Sequence, residues 1–180
     1  SAINDAVRGE TIYVKAGTYD PIVVGAAMRL RIESVDGKES TVIDGCGERQ
    51  CANLGGNDSF SSTLVGFTLT NGYSNYGGGA HGGTLIDCDV MGNYARYQGG
   101  GLYYSTAIRC QIAENKAGDT NLWSNANGGG AYSGILRNCL VVGNTAESSN
   151  YCEGGASCYS ALYNCTVVDN VACGNGYGGG

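Results

Sequence analysis

The sequence predicts an all-β fold, a right-handed parallel β-helix of about seven coils, each of roughly 22–29 residues, behind a short N-terminal capping helix. Three observations predict it. Gly-rich triplets begin at Gly77, Gly99, Gly128 and Gly178, with Glu153-Gly154-Gly155 in the matching place, so the steps are 22, 29, 25 and 25 residues. Eleven or twelve residues after each triplet start stands a cysteine, and five beyond it an asparagine, in CDVMGN, CQIAEN, CLVVGN and CTVVDN. The residues between these markers are short β-branched and aliphatic pairs with no 3.6-residue apolar stripe, which excludes helical repeats. The glycines, 32 in 180 residues, would moreover cost about 1 kcal/mol each inside a helix.

Residues 1–180 read as one solenoid domain, a fragment of a longer protein. Residues 1–10 are its cap, with Ala2 to Val7 forming one or two helical turns. Residues 11–71 make the first coils, with strand pieces at Thr11-Ile12-Tyr13-Val14, at Ala16-Gly17-Thr18-Tyr19, at Ile22-Val23-Val24, at Leu30-Arg31-Ile32 and at Thr41-Val42-Ile43-Asp44-Gly45. Residues 72–180 are the regular repeats, with two strand pieces per unit. There a cysteine and the residue two places on (Val90, Ile112, Val141, Val167) share the inner face.

Stacked coils place like residues in columns. Asn71, Asn93, Asn115, Asn144 and Asn170 are expected to form an asparagine ladder, each amide bonding its own turn and the coil above. Gly66 falls where GFTLTN would carry its cysteine. Cys88, Cys110, Cys139 and Cys165 form a second column of small apolar groups in a narrow core. A third column is the glycines, where the chain turns sharply or approaches a neighbour.

These residues resemble two known groups. GGGA or GGGL followed by V-x-x-N or I-x-x-N is similar to the GGAI…FxxN units of polymorphic outer-membrane protein repeats. The opening GETIYVKAGTYD with TVIDG resembles the first coils of pectin-lyase-like β-helix proteins. The chain has Val or Ile where the outer-membrane units have Phe, and Cys where many carry Ser or Thr. The resemblance implies a β-helix, which as a fold hosts lyases, hydrolases, adhesins and inert spacers, so function must be read from sites.

Two outer surfaces are candidates. Asp87, Asp89, Arg109 and Arg137 lie in columns flanking the cysteines. A lyase resembling the pectate enzymes would use such carboxylates to hold Ca²⁺ and an arginine to take a proton alpha to a uronate carboxylate; the other reading is an exposed ion pair. Tyr76, Tyr97, Trp123, Tyr151 and Tyr177 gather before the glycines, where exposed rings bind sugar chains or partner proteins, or shield the turns. His81 joins Tyr103 and Tyr132 in an outward column as a stacking partner. Cys46 and Cys51 flank a polar loop and are expected as a small disulfide, while one pair among Cys152, Cys158 and Cys173 is open. No CxxC occurs, so no metal site is expected, and no cofactor beyond Ca²⁺ under the lyase reading.

The formal net charge of −6 offers nucleic acid no basic face, and no apolar run is long enough to cross a membrane. The expected partners are the rest of a longer chain, a second copy stacked head to tail, or a polysaccharide. The first expectation for function is a non-enzymatic exported element, a cell-surface stalk, adhesin segment or filament. The other is a carbohydrate-active module that binds or cleaves an acidic polysaccharide.

Overall fold

The computed structural model describes residues 2–25, 27–55, 61–121 and 124–173. A helix of one turn, Ala2–Asp5, precedes the strands, and Ile3 and Ala6 pack against the first coil. All strand pairings among the described residues are parallel and fall into four sheets. One sheet runs from Thr11–Val14 to Ala161–Tyr163 and the next from Gly17–Tyr19 to Thr166–Val168. The other two run from Ile22–Val23 to Ser157–Cys158 and from Tyr73–Tyr76 to Val171–Cys173. Thr11, Arg31, Thr63, Thr84, Thr106, Ile135 and Ala161 stack in register, which makes six steps and so about six turns instead of the seven expected.

A regular coil contains four strands, not two. It visits the four sheets in turn and changes direction at single residues in the left-handed region. Asp87, Arg109, Asn138 and Asn164 form one such corner, with φ of 52–54°. Gly92, Glu114, Gly143 and Asp169 form the second, Gly77, Gly99, Gly128 and Gly154 the third, and Gly82, Tyr104, Ser133 and Tyr159 the fourth. A left-handed residue with a side chain costs about 1–2 kcal/mol, and each is held by the parallel pairing on both sides. Arg109, Glu114, Tyr104 and Tyr159 carry no turn signature, which is why the sequence does not mark the corners at these coils.

The interior holds two long apolar columns on adjoining sheets, closed by a third of Ala52, Ala80, Leu102 and Ala131. Ile32, Leu64, Leu85, Ala107, Leu136 and Leu162 stack on one sheet, and Ile43, Leu69, Val90, Ile112, Val141 and Val167 on the next. Leu64, Leu85, Leu136, Val90, Ile112 and Val141 are fully buried, each contributing about 1.5–3 kcal/mol relative to an exposed side chain. The corner between these sheets holds the cysteine column, headed by Phe67, because Asp89 pairs with Thr68. Phe67, not Gly66, therefore stands where the earlier coil would carry its cysteine. Each thiol of the column donates weakly to the carbonyl two residues back and to one in the preceding coil: Cys110 to Ile108 and Leu85, Cys139 to Arg137 and Ala107. A small apolar side chain with a weak donor fits that corner.

Candidate functional site

The buried corner beside the glycines carries the asparagine ladder. Asn93 donates through Nδ2 to Leu69 O at 3.0 Å and to Asn115 Oδ1 at 3.0 Å, and its backbone N–H donates to the same Oδ1. Asn115 repeats this with Val90 O and Asn144, and Asn144 with Ile112 O and Asn170. Asn93, Asn115, Asn144 and Asn170 are all buried. Asn71 is not a rung. Met91 pairs with Thr70, so Gly72 occupies the ladder position and gives its N–H to Asn93 Oδ1 at 2.8 Å. Asn71 is exposed at the adjacent left-handed corner and donates to Asp44 Oδ1 at 3.1 Å.

The glycine triplets face this ladder. A side chain at Gly100 would strike the carbonyl carbon of Lys116 at 2.5 Å, and one at Gly101 the amide of Asn115 at 2.9 Å. A side chain at Gly77 would meet Tyr103 Cβ at 2.8 Å. The bare corner thus lets the ladder approach from inside and aromatic rings lean over it from outside. The fourth triplet lies one residue later than its sequence suggests: Ala131 pairs with Ser157, so Gly154-Gly155-Ala156, not Glu153-Gly154-Gly155, continues the column.

Over that corner runs an aromatic ridge. His81, Tyr103 and Tyr132 stack in register on one outer face. Tyr103 and Tyr132 lie nearly parallel, with centroids 5.6 Å apart and 14° between planes, and His81 meets Tyr103 edge-on at 5.2 Å. Tyr104 packs edge-on against Tyr103 at 4.6 Å, and Tyr159 against Tyr132 at 5.6 Å. From the other side of the glycines Tyr76 reaches Tyr103 at 5.1 Å and Tyr97 at 5.7 Å, and Arg96 lies over the Tyr97 ring. Burial pushes the Tyr103 and Tyr132 hydroxyls up and His81 down, so these groups stay neutral near pH 7. Tyr159, 74% exposed, offers the ridge's most accessible ring.

Of the expected ligand-binding residues, Tyr76 and Tyr97 belong to this ridge. Tyr151 instead donates its hydroxyl to Glu153 at 2.6 Å, and Trp123 and Tyr177 lie outside the described residues. Tyr103, Tyr104, Tyr132 and Tyr159 were not among those expected binders. The signal that finds Tyr103 and Tyr132 is their shared place two residues past a Gly triplet.

The acidic and basic residues on the opposite side satisfy one another. Arg109 gives Asp87 two parallel hydrogen bonds, of 2.8 and 2.7 Å, and holds its carboxyl below the usual range. Asp89 is engaged by Lys38 at 2.6 Å, from a loop two coils earlier. Burial opposes the Lys38 charge, but Asp89 outweighs it and raises its pKa. Arg137 pairs in register with Ile108 and lays its guanidinium over Tyr163, 4.3 Å from the ring centroid, apart from the other three. Among the described residues no group of three His, Cys, Asp or Glu side chains is placed to hold a metal. A calcium ion takes six to eight oxygens, and a set in which Asp87 is closed by Arg109 and Asp89 by Lys38 does not fit it.

Among the described residues Cys46, Cys51 and the column Cys88, Cys110, Cys139 and Cys165 form no disulfide. The expected Cys46–Cys51 bridge is not formed: Cys46 is exposed at a left-handed turn, while Cys51 points inward, donates to Thr70 O at 3.1 Å and is pushed up to about 12 by burial. The class defined so far is a parallel β-solenoid knit by a buried asparagine ladder, with an aromatic ridge outside. No family model matches the sequence, and comparison with curated proteins and with solved structures returned no match. Its likeness to pectin-lyase-like and outer-membrane repeat proteins rests on the sequence motifs alone. No helix among the described residues is long and apolar enough to cross a membrane.

Proposed function

We propose that this chain is a non-enzymatic structural or adhesion element, exported to the cell surface or beyond, whose stiff solenoid presents the tyrosine ridge as its contact surface. The observation that carries this reading is the ridge itself: six tyrosines and His81 held in one ring-to-ring network over a glycine corner. A rigid row of rings contributes large contact area at little conformational cost, and its phenol hydroxyls give directional hydrogen bonds. The Asp87, Asp89, Arg109 and Arg137 face supports this reading over turnover, because Asp87 and Arg109 are spent on each other, Asp89 on Lys38 and Arg137 on Tyr163. The partner is a polysaccharide or a protein surface that accepts ring edges, whether supplied by a host, by the rest of a longer chain, or by a second copy.

The test is retention on immobilised acidic and neutral polysaccharides and on cell-surface preparations, alongside release of unsaturated sugar ends with Ca²⁺ present. A Tyr103→Ala, Tyr132→Ala double variant is expected to abolish retention, while Asp87→Asn with Arg109→Gln leaves it unchanged. Unsaturated ends that appear with the wild type and vanish with the Asp87/Arg109 variant would establish the lyase reading instead.

A further inference from the structure

The corner one strand past the cysteine column, next to the asparagine ladder, carries a second feature. Between the loop after Thr41–Asp44 and the strands Tyr73–Tyr76 and Tyr94–Gln98 lies an open notch of about 400 Å³. Asp44 and Asn71 line one side and Tyr73 and Tyr94 the other, with Gly47 and Gly92 between them. Gly92 gives the notch its depth, since the same corner of the next coil carries the exposed side chain of Glu114.

The lining is chemically one-sided. Tyr73 and Tyr94 stand parallel, 5.4 Å apart with 17° between planes, and Tyr73 keeps 41% of its surface exposed. Asp44 is locked in place: its Oδ1 accepts from the backbone N–H of Cys46 at 2.8 Å and from Asn71 Nδ2 at 3.1 Å. Both donors are neutral, so neither forms an ion pair with the carboxylate. The basic side chains around it are committed elsewhere. Arg49 bonds Asp20 at 3.2 Å, Lys116 bonds Glu147 at 2.6 Å, and Arg96 lies over Tyr97. A fixed carboxylate beside tyrosine rings, with no basic side chain in the lining, is the environment that attracts a cation with an apolar shell. The volume is at the small end of ligand pockets and suits one headgroup.

We propose that this notch binds an organic cation, an alkylammonium group whose charge faces Asp44 and whose methyl or methylene groups lie against Tyr73 and Tyr94. The group is either a free quaternary amine or the lysine side chain of a partner protein. Tyr73 and Tyr94 stack on each other at the starts of the strands whose far ends carry Tyr76 and Tyr97, so the cation site uses rings other than those of the ridge, and loss of one leaves the other intact.

Amide shifts of the isotope-labelled chain, titrated separately with tetramethylammonium and with N-acetyl-lysine methylamide, test it. tert-Butanol serves as the neutral isostere and glucose as the hydroxyl-rich control. Saturable shifts confined to residues 44–47, 71–73 and 92–94 are expected with a cation and absent with both controls. Tetramethylammonium alone identifies a free amine; the lysine derivative alone, or both equally, identifies a partner's side chain. Asp44→Asn keeps the acceptor that Cys46 and Asn71 use, and should weaken binding about tenfold or more, as a lost charge contact of this kind would. Tyr73→Leu keeps an apolar wall without a π face and should weaken the quaternary amine most. Absence of saturable shifts with either cation, equal shifts with tert-butanol or glucose, or unchanged affinity in Asp44→Asn would each overturn the proposal.

Discussion

Asn93, Asn115, Asn144 and Asn170 inside the solenoid and His81, Tyr103 and Tyr132 outside it arise from the same operation, one residue repeated at one position of successive coils. The inner column is fully buried, and every amide serves its own coil and the one before, so no rung can be replaced without orphaning groups on two coils. The outer column is linked through ring contacts, and its fourth place is taken by Cys158 without any break in the register. Repetition inside is enforced by hydrogen-bond accounting, whereas repetition outside is free to drift. A column kept outside therefore points to what the surface does, and a column kept inside only to what holds it up.

The sharpest way to break this contrast is to remove a rung. Asn115 Oδ1 accepts from both nitrogens of Asn93, and its Nδ2 donates to Val90 O and Asn144 Oδ1. Asn115→Leu leaves several of these groups buried and unpaired, at about 1–3 kcal/mol each, so a loss of about 3–6 kcal/mol in urea unfolding is expected. Asn71→Ala, one residue off the ladder and exposed, should cost within about 1 kcal/mol. Equal losses at the two positions would mean that Asn71 is a rung after all.

The glycine corner sharpens the comparison next. Gly100→Ala drives a methyl into the Lys116 carbonyl and should cost about 1–3 kcal/mol or more, as overpacking against backbone does. Gly47→Ala meets nothing within 4 Å and is strained only by its φ of 70°, so about 1 kcal/mol is expected. Thermal unfolding of the two variants side by side reads the difference, and a similar shift in both would mean that the corner can open.

The columns were legible in the sequence because interior positions demand one residue type: the Cys-to-Asn spacing of five places both where the coil buries them. The same spacing misled at Asn71, five residues after Gly66. Both are corner residues, and the true counterparts of Cys88 and Asn93 are Phe67 and Gly72. The triplet pattern misled at Glu153, where Gly154-Gly155-Ala156 holds the register with an alanine in the third place. The ridge was half visible. Tyr76 and Tyr97 were read from their closeness to the glycines, but that Tyr104 and Tyr159 join it depends on left-handed corners that only the pairing on either side imposes. The Asp44 notch left no mark in the sequence, since its walls come from three coils and its depth from one missing side chain at Gly92.

The smallest expected effect separates the two outer ion pairs. Lys38–Asp89 is mostly covered, with side chains 29% and 18% exposed, and ties a loop to a strand two coils on; Asp87–Arg109 is about half exposed and joins adjacent coils that are already paired. Asp89→Asn should therefore lower the urea midpoint more than Asp87→Asn, whose pair is screened by water and salt. The Asp87 pair still leaves a signature in pH. The guanidinium of Arg109 depresses the Asp87 carboxyl in the folded chain, so folding favours its charged form. Its contribution is complete above the unfolded-state value and disappears as pH falls through the lowered folded value. Wild type and Asp87→Asn should thus differ slightly at neutral pH and converge in acid, in midpoints measured across that range at low salt. A gap that widens on acidification would mean that Asp87 is held by something other than Arg109.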